Sequence, residues 1–498
     1  MKSSLPTAGV RFHNLSRPIG VIIKEKKYKH MKLSISKNVH LVEPGDFEPT
    51  DHWYPRVLNS NIHPLVSYFL NLTHEQMVER YHRLNPQSDP ETIKNIMAYQ
   101  PKYFRWAGTD LMHVTNHEGN RRLTVIETNS CPSGQKSMPL LDLNVEQGGY
   151  KRLIEQTFKP MVDAHGEKGA LAVIYDKNPM ENIGYAATVA DVFGEDVFLA
   201  KFDKDDQDPP VKFTDGKMHV KNEKEEWVEI RAAFRYVTQE PWTRIPKNPK
   251  TLLLNPIEAC LAGGRNKEVA SAAYDRFNEE FRDKGIGIFT PDTYRKVKYS
   301  ELDKYFEILG GSMVIKVPDS NAGQGVYTVV NKKELEHAKS EIDPKDDYLV
   351  QQLIHSNYSK GLDPNKSWYH VGTIPDSKGR SFAFDLRLMM HATSEGMRPL
   401  AVYSRKSRFP LNQELPEDMN SWEVYGTNLS IKGEDGWSYA DERLMLFDVR
   451  NFGQLGLGVD ELIKGFVQST MAVYAIDQNA IQTFGQSESK SYFTTSNQ

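Results

Sequence analysis

Apolar positions along this chain change period repeatedly, and each change marks an element. Over residues 64–84, Leu65, Phe69, Leu70, Met77 and Tyr81 recur at helical spacing, with Thr73 placed to cap a new turn. The period then shortens to two. Leu111-Met112-His113-Val114, a turn through 116–120 and Leu123-Thr124-Val125-Ile126-Glu127-Thr128-Asn129 read as a strand pair. After a helical stretch at 150–162 come a buried-strand run at 170–175, a helix at 182–193 and a strand at 197–200, the pattern of an open α/β unit with a parallel sheet. The charged stretch 201–226 reads as a polar hairpin excursion, and the sheet resumes at 228–237. Helices are expected at 267–282, 299–309 and 333–341, a strand exit at 285–291, a hairpin at 314–330, and strands at 348–354, 381–390 and 399–404. An amphipathic helix closes the pattern at 460–475, and no internal repeat appears.

Composition sets outer limits on this reading. With 498 residues the chain can bury a large core and split into about two to four domains. Its net charge of −4 and 39% hydrophobic content give no reason to expect a nucleic-acid groove. Two cysteines, Cys131 and Cys260, fit neither a disulfide framework nor zinc spacing, which points to a reducing compartment. No apolar leader or membrane-length run is present, so the expected location is the cytoplasm. The polar arm 1–45, with its basic run at 24–30, reads as solvated, and the Ser/Thr/Gln-rich tail 486–498 as disordered.

Chemistry concentrates in a few places. The hairpin 314–330 delivers Lys316 next to a small, polar loop containing Asn321, Gly323, Gln324 and Gly325, whose backbone N–H groups can face phosphate oxygens. An ordinary surface hairpin would look the same, and the loop is neither a Walker loop nor a dinucleotide fingerprint. In the strand pair, alternation puts Glu127 and Asn129 on one face, with Asp110 able to lie beside them across the sheet. Two carboxylates and a carboxamide suit Mg²⁺, although polar strand ends are also commonly solvated. Arg235 sits inside an apolar run, where it is either an edge residue or a guanidinium fork for an anionic substrate. His113 and His117 flank a hairpin turn and read as surface residues, and Cys131 reads as a structural thiol.

Taken in order, Asn266-Lys267 opening a helix, Gly287-Ile288 leading to Pro291, the Lys316 hairpin, Val350-Gln351-Gln352-Leu353-Ile354, Asp385-Leu386-Arg387 and Glu127-x-Asn129 resemble the ATP-grasp ligases. Because Glu-x-Asn precedes the lysines, the order is similar to the circularly permuted branch that includes glutathionylspermidine synthetase and eukaryotic glutathione synthetase. The resemblance spans roughly residues 100–435 and rests on motif order. It implies a circularly permuted ATP-grasp fold with an open α/β substrate-side domain. Lys267 and Lys316 would contact ATP phosphates, the loop Asn321, Gly323, Gln324 and Gly325 would close over them, and Gln351, Gln352, Leu353 and Ile354 would form the adenine-side hinge. That hinge departs from the family pattern, which commonly has an acidic residue where Gln351 and Gln352 stand. Asp110, Glu127 and Asn129 would hold two Mg²⁺ ions, for which Mn²⁺ can substitute. Arg387 and Arg105 would act at the reacting centre, with Arg105, Ser130, Ser133, Gln135, Arg235, Arg405 and Asn428 toward the substrates.

The implied activity is coupling of a small carboxylate to an amine with release of ADP and phosphate. The implied partners are those two small molecules, with no nucleic acid or membrane, and a homodimer is one implied assembly. A small-molecule kinase on the same scaffold and a silent nucleotide-binding regulator are the competing readings. The expected divisions are an arm at 1–45, a helical and metal-strand part at 46–165, the open α/β domain at 166–255, the lid at 256–345, a second grasp subdomain at 346–440, the terminal helix at 441–485 and the tail at 486–498.

Overall fold

The computed structural model describes residues 38–485 except 321–324, 357–362, 364, 415, 417–418, 434–435 and 440. Most of the N-terminal arm, the tail, and Asn321, Gly323 and Gln324 of the phosphate loop therefore lie outside the described residues. The fold is mixed α/β with several sheets. Among the described residues, no helix is long and apolar enough to cross a membrane.

Three sheets shape the site. The first is the open α/β sheet, in which Ala170–Tyr175 lies between Val197–Lys201 and Trp227–Tyr236, all parallel, with Leu252–Leu254 parallel beyond. At one edge Val39–Val42 pairs antiparallel with Val197–Lys201 in continuous register. Residues 39–42 were expected within the solvated arm; pairing with an exposed strand edge recruits them instead. The polar excursion forms the hairpin Val211–Thr214 and Lys217–Lys221, as its Asp215-Gly216 turn demands, with both turn residues at positive φ.

The second sheet is antiparallel and central, running Arg121–Asn129, Trp106–Thr115, Phe384–Thr393 and Gly396–Lys406 side by side. Its register shifts between Asp110 and Leu111: Asp110 faces Glu127 while Leu111 faces Val125, so Ile126 is the extra residue of a bulge. Such a bulge re-aims the side chains beside it, here Glu127.

The third sheet has four antiparallel strands in the order Thr293–Lys298, Asp347–Gln351, Met313–Lys316 and Val326–Val329. It packs Met313, Ile315, Val329 and Val350 into a small core of its own with helices Leu302–Ile308 and Lys332–Glu341. Alternation along Met313–Lys316 turns Val314 and Lys316 the other way. Residues 285–291, expected as a strand exit, run as coil, yet Val125 N–H donates to Phe289 C=O at 2.7 Å.

The terminal helix runs Val459–Phe484 and is buried along most of its faces, so the amphipathic expectation is corrected to a core helix. It packs on the acidic strand and on helix Lys267–Glu280.

Candidate active site

Strand pairing sets a row of charged side chains across the central sheet. Glu127 lies opposite Asp110, Asp110 opposite Arg387, and Arg387 opposite Tyr403. The Asp110 carboxylate accepts from Arg387 Nε and Nη2, both at 2.6 Å, and its Oδ2 lies 3.0 Å from Arg405 Nη2. Arg405 also donates through Nε to Asp385 at 2.9 Å. Burial would raise the Asp110 pKa, but the two guanidinium groups outweigh it and hold the carboxyl at about 2.

Opposite this row stand two lysines. Lys316 is 5% exposed and has no hydrogen bond or ion pair among the described residues. Burial, with the neighbouring Lys267 adding to it, pulls its ammonium down to about 8 against the attraction of Glu127. Lys267 opens helix Lys267–Glu280 behind the Asn266 cap. Its Nζ lies 4.0 Å from Glu127 and donates to Ser320 C=O at 2.7 Å, while its N–H donates to Pro318 C=O at 3.1 Å. The helix start and the 318–320 loop are thereby tied together.

These groups line a cleft of two chambers that share Asp110, Glu127, Arg405 and Asn428. One chamber, about 110 Å³, also holds Lys267, Lys316 and residues 351–354, walled by Val314, Val326, His370, Trp422 and Tyr425. Gln351 Nε2 donates to Thr293 Oγ1 at 2.9 Å, and Gln352 Nε2 to Lys366 C=O at 2.7 Å. His370 stacks with Tyr425, and burial lowers its pKa to about 3, so the ring is neutral. The other chamber, about 210 Å³, opens at the carboxyl ends of the parallel strands, where Lys177, Tyr236 and Val237 lie. Asn129, Ser130, Ser133, Arg235 and Arg387 line it too.

The donor set fits Mg²⁺. Glu127 accepts no hydrogen bond from the described residues, and Asn129 Nδ2 is buried without a partner, which leaves its carboxamide free of structural duty. Among the described residues no three His, Cys, Asp or Glu side chains form a cation cage, and Mg²⁺ does not need one, since water and phosphate complete its shell. Glu127 and Asn129 would hold the ion, with Asp110 at the edge because its oxygens already serve two arginines.

Several expected residues stand elsewhere. Arg105 is outside the cleft: its Nε donates to Pro101 C=O at 2.7 Å, and it lines a separate cavity of about 570 Å³ at the amino ends of the parallel strands. An odd separation from Asp110 puts the two side chains on opposite faces of the strand. Gln135 lines neither chamber; it is 1% exposed and packs over Gly149. Arg235 reaches the chamber, but Nε and Nη1 are committed to the carbonyls of Asn255 and Val237. Ser133 donates to Glu181 at 2.8 Å, and Ser130 Oγ lies 3.2 Å from Cys260 Sγ. His113 is buried, not at the surface, and its pKa falls to about 4 through burial. Burial pushes the Cys131 thiol up to about 12, which suits a structural role.

Sequence reasoning missed Lys136, Lys177 and Arg265, all lining the second chamber. A signal existed for two of them: Lys177 follows a buried parallel strand, and Arg265 precedes the Asn266-Lys267 helix start.

No protein-family model and no curated protein sequence matches the chain. Among solved structures, it is similar to a glutathione synthetase-like effector from Globodera pallida at 10% identity and TM-score 0.35, covering 70% of this chain and 86% of that one. A RimK domain ATP-grasp protein from Sphaerobacter thermophilus matches at 16% identity and TM-score 0.30, over 60% of this chain and 98% of its own. D-alanyl-alanine synthetase A from Vibrio cholerae matches at 13% identity and TM-score 0.30, over 47% of this chain and 88% of its own. Scores of this size assign neither a fold nor an activity to this chain.

Proposed function

We propose that the chain is an ATP-dependent carboxylate–amine ligase of the ATP-grasp type, permuted so that the acidic strand precedes the lysine-bearing lid. The observation that carries this reading is the meeting of Lys316 and Lys267 with Glu127 and Asp110 in one cleft, with Lys316 buried and unpaired. Burying an unpaired ammonium is costly, and a polyphosphate is the ligand that would offset it. Leu353, Ile354, Val314, Val326, Trp422 and Tyr425 form an apolar end suited to a nucleobase, with the Gln351 and Gln352 carboxamides beside it.

In this reading Lys267 and Lys316 neutralise the phosphate oxygens. Mg²⁺ held at Glu127 and Asn129 would supply further charge there. A substrate carboxylate oxygen attacks the γ-phosphorus and the bond to the ADP oxygen breaks, giving an acyl phosphate. The amine then attacks the acyl carbon, loses its proton to water or phosphate, and phosphate departs. Arg387, which lines the second chamber, is locked by Asp110, a residue the two chambers share, and would face the charge that gathers in both steps. The lid keeps water from the acyl phosphate.

The test is trapping with hydroxylamine in a screen of small carboxylic acids and amines for ADP release. A ligase gives a hydroxamate of its acid. A stable phosphate ester would replace the proposal with a kinase, and ATP binding without ADP release under every mixture would leave a regulator.

A further inference from the structure

The second chamber holds more positive charge than its carboxylates can use. Lys136, Lys177, Arg235, Arg265, Arg387 and Arg405 line it, against Asp110 and Glu127. Asp110 is consumed by Arg387 and Arg405. Two further carboxylates stand nearby, and both are occupied. Asp176 accepts from Thr238 N–H at 2.7 Å, Gln239 N–H at 2.6 Å and Arg244 at 3.4 Å; Glu181 accepts from Ser133 Oγ, Gly134 N–H and Gln135 N–H at 2.8–3.0 Å.

Glu127 is shared, attracting Arg265 as well as Lys267 and Lys316, and Lys136 donates to Asn178 Oδ1 and lies over the Tyr54 ring; two cations are left without a hydrogen-bonded acceptor. Arg265 Nε and Nη2 are buried with no hydrogen-bond partner among the described residues. Lys177 has no ion pair or hydrogen bond from its ammonium among them either; burial, then the nearby Arg265, lowers its pKa to about 8. Lys177 also stands beside the start of helix Pro179–Phe193, where the helix dipole favours negative charge. Each unmade hydrogen bond of a buried charged donor is expensive, and Arg265 leaves two, with the half-buried Lys177 beside it facing the same chamber, so the fold carries these groups for something that binds there.

We propose that the acid accepted by this chamber carries a second anionic group, held between Lys177 and Arg265, apart from the carboxylate that is activated beside Arg387. The choice of reacting carboxylate rests on the ligase reading; the binding of a dianion does not. A dicarboxylate and a phosphorylated carboxylic acid share this chemistry.

Calorimetric titration of the full chain at constant ionic strength tests it, with succinate and 3-phosphoglycerate (a carboxylate plus a phosphate of up to two charges) as acids with two anionic groups, termed dianions, and butyrate as the monoanion. Succinate or 3-phosphoglycerate is expected to bind about tenfold or more tightly than butyrate, and the better of the two names the source of the second charge. Lys177→Met and Arg265→Gln should each weaken that dianion about tenfold, with Arg265→Lys recovering part of the loss, while binding of a non-hydrolysable ATP analogue persists and shows the variants folded. Lys316→Met should leave dianion binding intact. Equal affinity for monoanion and dianions, or unchanged affinity in both chamber variants, overturns the proposal. If dianions bind as expected but no acid and amine pair releases ADP, the ligase reading fails and the chamber assignment stands. If only monocarboxylates support ADP release, the reverse holds.

Discussion

Glu127 owes its position to one extra residue, Ile126, which swings it across from Asp110 and toward Lys267. Glu127→Gln keeps volume and hydrogen-bonding capacity but removes the charge that would hold a metal. Turnover should fall by at least about a hundredfold, with an unchanged melting temperature, as read by an ADP-release assay beside thermal denaturation. Lys316 gives a pH signature. Its ammonium titrates at about 8, so affinity for a non-hydrolysable ATP analogue should fall as pH rises through 8 to 9.5, and Lys316→Arg, charged throughout, should flatten the profile. The linkage runs oppositely for stability: above pH 8 the folded lysine has released its proton while the unfolded one, with pKa about 10.4, keeps it. Unfolding then takes up a proton, so wild type should gain stability relative to Lys316→Met as pH rises from 8 toward 10. At this scale Asp110, Glu127, Lys267 and Lys316 were legible because each breaks an apolar alternation or opens a helix. Lys177 and Arg265 were legible only in part: their places after a buried strand and before a helix start show in the sequence, but their neighbours do not reveal that no carboxylate among the described residues accepts a hydrogen bond from either.

The helix Val459–Phe484 acts at the scale of elements. Asp477 within it accepts from Lys102, Tyr103 and Phe104 N–H at 2.7–2.8 Å and from the Tyr99 hydroxyl at 2.5 Å. Those bonds anchor the chain just before strand Trp106–Thr115, which carries Asp110. Asp477→Ala should cost about 3–5 kcal/mol in urea denaturation, since three backbone donors lose their acceptor, and Asp477→Asn, which keeps one acceptor oxygen, should cost less. The helix itself was readable from its apolar spacing. Its length and near-complete burial were not, since periodicity reports one apolar face and cannot say that strands and helices will cover the others.

Across the whole molecule, the four-stranded sheet keeps a core separate from the main one, borders the cleft through Val314, Lys316, Val326 and Gln351, and is tied to its surroundings by Lys267 with Ser320, Arg295 with Asp275 and Ser421 with Glu334. A body so attached can open and close as a unit. Hydrogen exchange at Met313–Lys316 and Val326–Val329 should slow by about tenfold or more with an ATP analogue, while Trp106–Thr115, already in the main core, should change little. Ser421→Ala, which loses the hydroxyl bonded to Glu334 at 2.8 Å, should speed exchange in the free hairpin. By itself the chain's order of residues determined the strand pair around Glu127, the helix start at Lys267 and the lysine hairpin, because alternation, capping and turn chemistry act over a few neighbours. Only tertiary structure decided that Arg105 faces a different cavity from Asp110, that Asp110 is shared by Arg387 and Arg405, and that Lys177 and Arg265 line one chamber. Those pairings join positions tens to hundreds of residues apart, and strand register and a single bulge select them, neither of which leaves a local mark.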